Sequence, residues 1–187
     1  MLKKLRIGLA LLVLIEVGCV KLPQAGKGEV FSVLFGFSAR VGENSYHSLR
    51  LYVNSDKNKR LTLNILLPTN KLIANVFYDG KKLIIVDYKN RIAYIDNKKP
   101  FNLKRVIGFD IPVSEFVVFY NRCYLEKGCD FKEVKGIKFI VNGKGEIAIA
   151  GKKGNVLLKP LSGVVKGGVA SLSPTIPEGF KVVYDNS

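Results

Sequence analysis

The chain has 187 residues, 48% of them hydrophobic, and carries 30 Lys and Arg against 15 Asp and Glu for a formal net charge of +15. That length suits one domain with a sizeable core. One histidine, His47, confines Ser/His/Asp or Cys/His catalysis to a single position, and the two cysteines beyond the N-terminal region have no histidine beside them to complete a four-ligand zinc site.

The first six residues, Met-Leu-Lys-Lys-Leu-Arg, are basic, and Ile7 to Ile15 form an unbroken apolar run. Such a run is far shorter than the roughly 20 residues a membrane-spanning helix needs, and it matches a secretory signal. Gly18-Cys19 after it resembles the lipobox of bacterial lipoproteins, with Glu16 where Leu is usual. This predicts a signal peptide over 1–18, a lipidated tether over 19–28 rich in Gly and Pro, and a single domain over 29–187. Each acyl methylene buried in a bilayer adds about 0.8 kcal/mol, so several chains on Cys19 would anchor the protein permanently. The competing reading is an ordinary signal peptide in which Cys19 is incidental. Cleavage leaves 169 residues (187 less 18), and removing Lys3, Lys4, Arg6 and Glu16 brings the charge to +13. Export argues against nucleic acid as partner. The scattered lysines then form either a solvated surface or one drawn to anionic headgroups.

Short strand patterns follow, each bounded by turn formers. The first covers Glu29 to Val41, with a turn over Gly42 to Ser45. In the second, Leu49, Leu51 and Val53 oppose Ser48, Arg50 and Tyr52. After a turn over Ser55 to Asn58, Leu61, Leu63, Ile65 and Leu67 oppose Arg60, Thr62 and Asn64. Further strands are predicted over Lys71–Tyr78, Lys81–Tyr88 and Arg91–Asp96, with Asp79-Gly80 as a hairpin signal. Together these make an antiparallel meander with one apolar face.

Beyond Pro100 the period lengthens. Val113, Phe116, Val117 and Tyr120 make one stripe of a helix, with Pro112 at its start, Glu115 in its first turn and an end near Gly128. Cys123 and Cys129 lie close enough in sequence for a disulfide in an oxidising compartment, the alternative being free thiols. Strands resume over Gly136–Val141, Gly145–Ala150, Asn155–Leu158 and Phe180–Tyr184, while Gly163–Pro177 reads as loop.

Little of this carries chemistry. His47 sits at the edge of a strand with no nucleophile motif, so a surface histidine is the default. The stretch Gly145 to Lys153 has five residues between its glycines and Lys153 where a phosphate loop needs Ser or Thr. No pair of carboxylates suggests acid/base work. The pattern is that of a binder, with no enzyme activity and no cofactor expected.

The run Gly108-Phe109-Asp110-Ile111-Pro112-Val113-Ser114-Glu115-Phe116-Val117-Val118-Phe119-Tyr120 resembles the Gly-x-x-(Ile/Leu)-Pro-x-x-x-Leu-x-x-Trp segment of the LolA/LolB lipoprotein-carrier family, with Phe119 in the Trp place. Arg60 to Pro68, followed by Asp79-Gly80, resembles that family's strand, apolar loop and hairpin. The likeness is closest to the family's membrane-anchored outer-membrane acceptor branch. It implies an α+β, mainly β fold: an incomplete antiparallel β-barrel with a helical lid inserted between strands. It also implies an acyl-chain cavity, for which Leu61, Leu63, Ile65, Ala74, Val76, Ile111, Phe116 and Phe119 are the candidates. A protruding loop with Leu66, Leu67 and Leu72 would touch the membrane. The implied protein is a monomer lipidated at Cys19 on the periplasmic face of the outer membrane, and Val20 in place of Asp after the cysteine is similar to that address. It would take client lipoproteins or other lipid from a soluble periplasmic LolA-like carrier. The alternative is a structural or assembly lipoprotein that binds a protein partner on the same scaffold.

Overall fold

A computed structural model describes residues 29–56, 60–167 and 174–185. The expected signal peptide, Cys19, the tether and part of the Ser55–Asn58 turn lie outside these residues. Over these residues the protein is mainly β, with twelve strands in one open sheet. They are β1 (Val30–Val41), β2 (Asn44–Asp56), β3 (Leu61–Leu66), β4 (Leu72–Tyr78), β5 (Leu83–Asp87), β6 (Ile92–Asp96), β7 (Phe131–Val134), β8 (Ile137–Val141), β9 (Ile147–Gly151), β10 (Gly154–Pro160), β11 (Val165–Gly167) and β12 (Lys181–Asp185). Between β6 and β7 lie α1 (Lys104–Ile107) and α2 (Val113–Phe119), the latter running on into a π-helical turn over Tyr120–Leu125.

The strand order is β12-β6-β5-β4-β3-β2-β1-β10-β9-β8-β7, with β11 continuing along β1 beyond the end of β10. Residues 30 to 96 form the expected meander, because each strand pairs with its sequence neighbour through a short antiparallel turn. Alternation sorts the side chains. Val33, Phe35, Phe37 and Ala39 of β1 share an inner face with Leu51, Val53, Leu63, Ile65, Val76 and Ile85. The helical segment buries Leu103, Ile107, Phe109, Ile111, Phe116, Phe119 and Tyr120 in that same cluster. The predicted helical stripe of Val113, Phe116, Val117 and Tyr120 is buried throughout.

Three features depart from the expected pattern. Strand β12 pairs with β6 in parallel, so the sheet is not wholly antiparallel. A hairpin cannot join parallel neighbours, and the chain reaches this edge only after crossing from β11 on the other half of the sheet. Ile176 and Phe180 mark the crossing, packed against Phe77, Ile84, Val86 and Ala93 on the outer face. Strand β11 lies inside the stretch read as loop, and β7 precedes the strand expected from Gly136. Both are short and poor in alternating apolar residues, so only their neighbours define them.

Where β10 hands over to β11, the chain bulges. The Leu161 and Ser162 amides both donate to the Leu34 carbonyl, at 2.8 and 3.3 Å. The Ser162 hydroxyl oxygen accepts the Leu34 amide at 3.0 Å, standing in for a ladder carbonyl. On the other end of β1, a Cβ on Gly154 would meet the Arg40 carbonyl oxygen at 2.5 Å, so only glycine lets β10 start this close to β1.

Candidate functional site

Strand β1 gives the sheet two ends, named here for Val30 and Val41. At the Val41 end, α1 is a single turn of four residues closed by Gly108, whose φ of 93° is left-handed. So short a helix does not fill the inner face beneath it. A cavity of about 350 Å³ remains between α1 and strands β1 to β6. Its apolar wall comes from Phe37, Leu49, Ile65, Ile73, Ala74, Ile85, Val106 and Ile107. Its polar rim comes from Tyr46, Asp87, Lys89, Tyr94 and Arg105. The Arg105 guanidinium lies 4.6 Å from the centre of the Tyr94 ring, a cation–π contact that holds the arginine flat against one wall. Asp87 at the rim accepts the amide and side-chain nitrogens of Asn90, at 3.0 and 2.7 Å.

Of the eight residues expected to line an acyl cavity, Ile65 and Ala74 border the cavity under α1. Leu61, Leu63, Val76, Ile111, Phe116 and Phe119 are each at most 2% exposed and belong to the packed core. The missed apolar lining residues are Phe37, Leu49, Ile73 and Ile85 on the strands, which carry the same apolar pattern as the core, and Val106 and Ile107 on α1. What separates them is position at the end of the sheet where α1 falls short, and that is not written in their periodicity.

The β3–β4 turn borders the cavity, since Ile65 leads into it and Ile73 leaves it. Leu66, Leu67 and Leu72 are half-buried, and the exposed tip is Pro68 to Lys71. Leu66 is the cross-strand partner of Leu72, which puts the two side chains against each other. The turn is braced by Leu67 N–H to the Lys71 carbonyl and Asn70 N–H to the Leu67 carbonyl, both at 2.9 Å. Arg50 Nη1 donates to Asn70 Oδ1 at 2.6 Å.

Other candidate residues stay apart from the cavity. His47 is exposed on β2. Gly145 to Lys153 forms a turn, strand β9 and the hairpin into β10, with no helix behind it. Among the described residues, no group of three or more His, Cys, Asp or Glu could hold a metal ion, and no helix is long and apolar enough to cross a membrane. Tyr120 is fully buried in a stack with Phe116 and Tyr124, and burial raises its hydroxyl well above the ordinary tyrosine range. Cys123 and Cys129 hold their sulfurs at bonding distance, with Cα atoms 4.4 Å apart, and so close off the π-helical turn. Closing so short a loop is worth about 2 kcal/mol through the unfolded chain. A double Cys123→Ser/Cys129→Ser variant should lose that amount in urea unfolding, and an unchanged midpoint would refute the bond's contribution.

No protein-family profile matches the chain. Curated proteins likewise give no significant match.

Proposed function

We propose that this protein is a non-enzymatic carrier that binds acyl chains in the cavity under α1. The observation behind this reading is the cavity itself, walled by apolar side chains and rimmed by polar ones at the open end of a sheet. About 350 Å³ lies at the small end of the range for ligand pockets, roughly 300–1,000 Å³, and suits one chain better than several. In this reading the sheet is an incomplete barrel, with α1 and α2 as a lid that can lift at α1. The likeness to the LolA/LolB carriers adds client lipoproteins as the source of the chains and a soluble periplasmic carrier as donor. It also adds the outer membrane as the place where Cys19 holds the protein. Transfer would then follow differences in affinity, without a nucleotide.

Insertion of Leu67 or Leu72 into a bilayer would first require the β3–β4 turn to open, because both are half-buried. The tight packing of the six core residues favours a second reading, an assembly lipoprotein with a closed core that binds a protein partner. Displacement of a fluorescent fatty acid separates the two. The carrier should bind it saturably, one per chain, and absence of uptake would leave the assembly reading.

A further inference from the structure

The two halves of the outer face are finished differently. Over β4 to β6 it is covered by Ile176 and Phe180. Over β7 to β10, register places Phe131, Ile140, Ala148 and Leu157 in one cross-strand row on the face opposite Phe139 and Ile149. Phe131 is 50% exposed and Ile140 40%. The bulge after β10 adds Leu161, Val164 and Val165, at 57, 49 and 57%. The stretch from Arg122 to Lys166 holds ten Lys or Arg against four Asp or Glu; of its strand residues, Lys138 and Lys159 lie on this outer face with Glu133, while Lys132 turns inward to pair with Glu115.

The position of the chain's N-terminal side supplies the occupant. Val30 pairs with Gly167, and Lys166 Nζ reaches Glu29 Oε1 at 2.8 Å, so the exposed valines of the bulge adjoin the point where the chain enters the sheet. Cys19 precedes Glu29 by ten residues, a reach of at most ~36 Å for a fully extended chain. The β3–β4 turn lies on the other side of the sheet: Leu66 pairs with Arg50 and Arg50 with Gly36, so β1 and β2 separate it from β10, and it begins about 20 Å of strand beyond Val30.

We infer that the outer face of β7 to β10, with the β10–β11 bulge, docks on the anionic lipid surface of the membrane that holds the Cys19 anchor. This rests on the lipid-anchored reading above. The apolar row enters the headgroup layer, the lysines meet anionic phosphates, and the tether keeps the face at high local concentration so that weak contacts suffice. Docked this way, the cavity rim and the β3–β4 turn remain on the aqueous side.

The chain has no tryptophan, so a single introduced indole reports one place. Full-length Ile140→Trp, Leu161→Trp and Leu67→Trp proteins, purified with their lipid, are placed on phosphatidylethanolamine vesicles containing phosphatidylglycerol with brominated chains. Emission from the first two should shift to the blue and be quenched, with the quenching lost when phosphatidylglycerol is replaced by a neutral lipid. Emission from Leu67→Trp should stay unquenched. Quenching confined to Leu67→Trp, or no quenching at 140 and 161, overturns the docking face. A blue shift at those two positions without bromine quenching also overturns it, because a second copy or another protein then covers the face. Fatty-acid displacement by an Ile140→Glu/Leu161→Glu variant should match that of the parent, so failure of the cavity and failure of the docking face are read separately. Intact mass reports the Cys19 lipid independently of both.

Discussion

Exchange of Arg60 for Met is expected to destabilise the fold by about 3–5 kcal/mol, because it strands a buried carboxylate. Asp56 and Arg60 close the β2–β3 connection with Arg60 Nε 2.6 Å from Asp56 Oδ2, and their side chains are 2% and 10% exposed. The Arg60 amide also donates to Asp56 Oδ1 at 2.9 Å. Water cannot screen a pair held so deep, so loss of the guanidinium leaves the full desolvation cost of the carboxylate in place. The effect reaches beyond the turn. Asn121 Nδ2 donates to the Asp56 carbonyl at 3.3 Å, and Ser55 Oγ donates to Asn121 Oδ1 at 2.8 Å, which ties this corner to the π-helical turn. For a domain of this size the loss corresponds to a drop of roughly 10 °C in Tm. The double variant Asp56→Leu/Arg60→Met should recover much of it, because no orphan charge remains. A single variant that melts within a degree or two of the parent would show that the pair contributes little.

Replacing Ala74 with Trp should weaken fatty-acid binding roughly a hundredfold while leaving the fold intact. Ala74 is half-buried on β4 and lines the cavity, so an indole at this position projects into existing space. Each methylene denied apolar contact costs about 0.8 kcal/mol. Excluding four of them weakens binding by about 3 kcal/mol, roughly a hundredfold. Thr69→Trp, on the exposed tip of the same hairpin, is the matched control and should bind as the parent does. Undiminished uptake by Ala74→Trp would put the acyl chain elsewhere and remove the cavity from the proposed mechanism.

The strands from Val30 to Asp96 and the helix after Pro112 were legible because each buries one face and exposes the other. A period of two or of 3.6 in apolar residues records that burial directly, as in Leu61, Leu63 and Ile65 or in Val113, Phe116 and Val117. Asp79-Gly80 was legible for a different reason: Gly80 adopts a φ of 88°, and the Asp79 carboxylate accepts the amides of Lys81 and Lys82. Strands β7 and β11 were not, since Phe-Lys-Glu-Val and Val-Lys-Gly carry no alternation of their own. The candidate cavity was half legible. Apolar residues on β3 and β4 pointed to the right face, but the same pattern labels a residue whether it meets another side chain or empty space.

What the sequence by itself determined is therefore local. It set the alternation that splits the sheet into two faces, the helical stripe that covers one of them, and the cysteine spacing that closes the turn after it. Tertiary structure alone decided which buried residues border a cavity, because that depends on α1 ending after a single turn above Ile65 and Ala74. It alone set β12 parallel to β6 at the far edge, and it alone left the row from Phe131 to Leu157 uncovered and the β10–β11 bulge exposed beside the point where the chain enters the sheet. Those outcomes depend on contacts between residues far apart in the chain, and no short-range period encodes them.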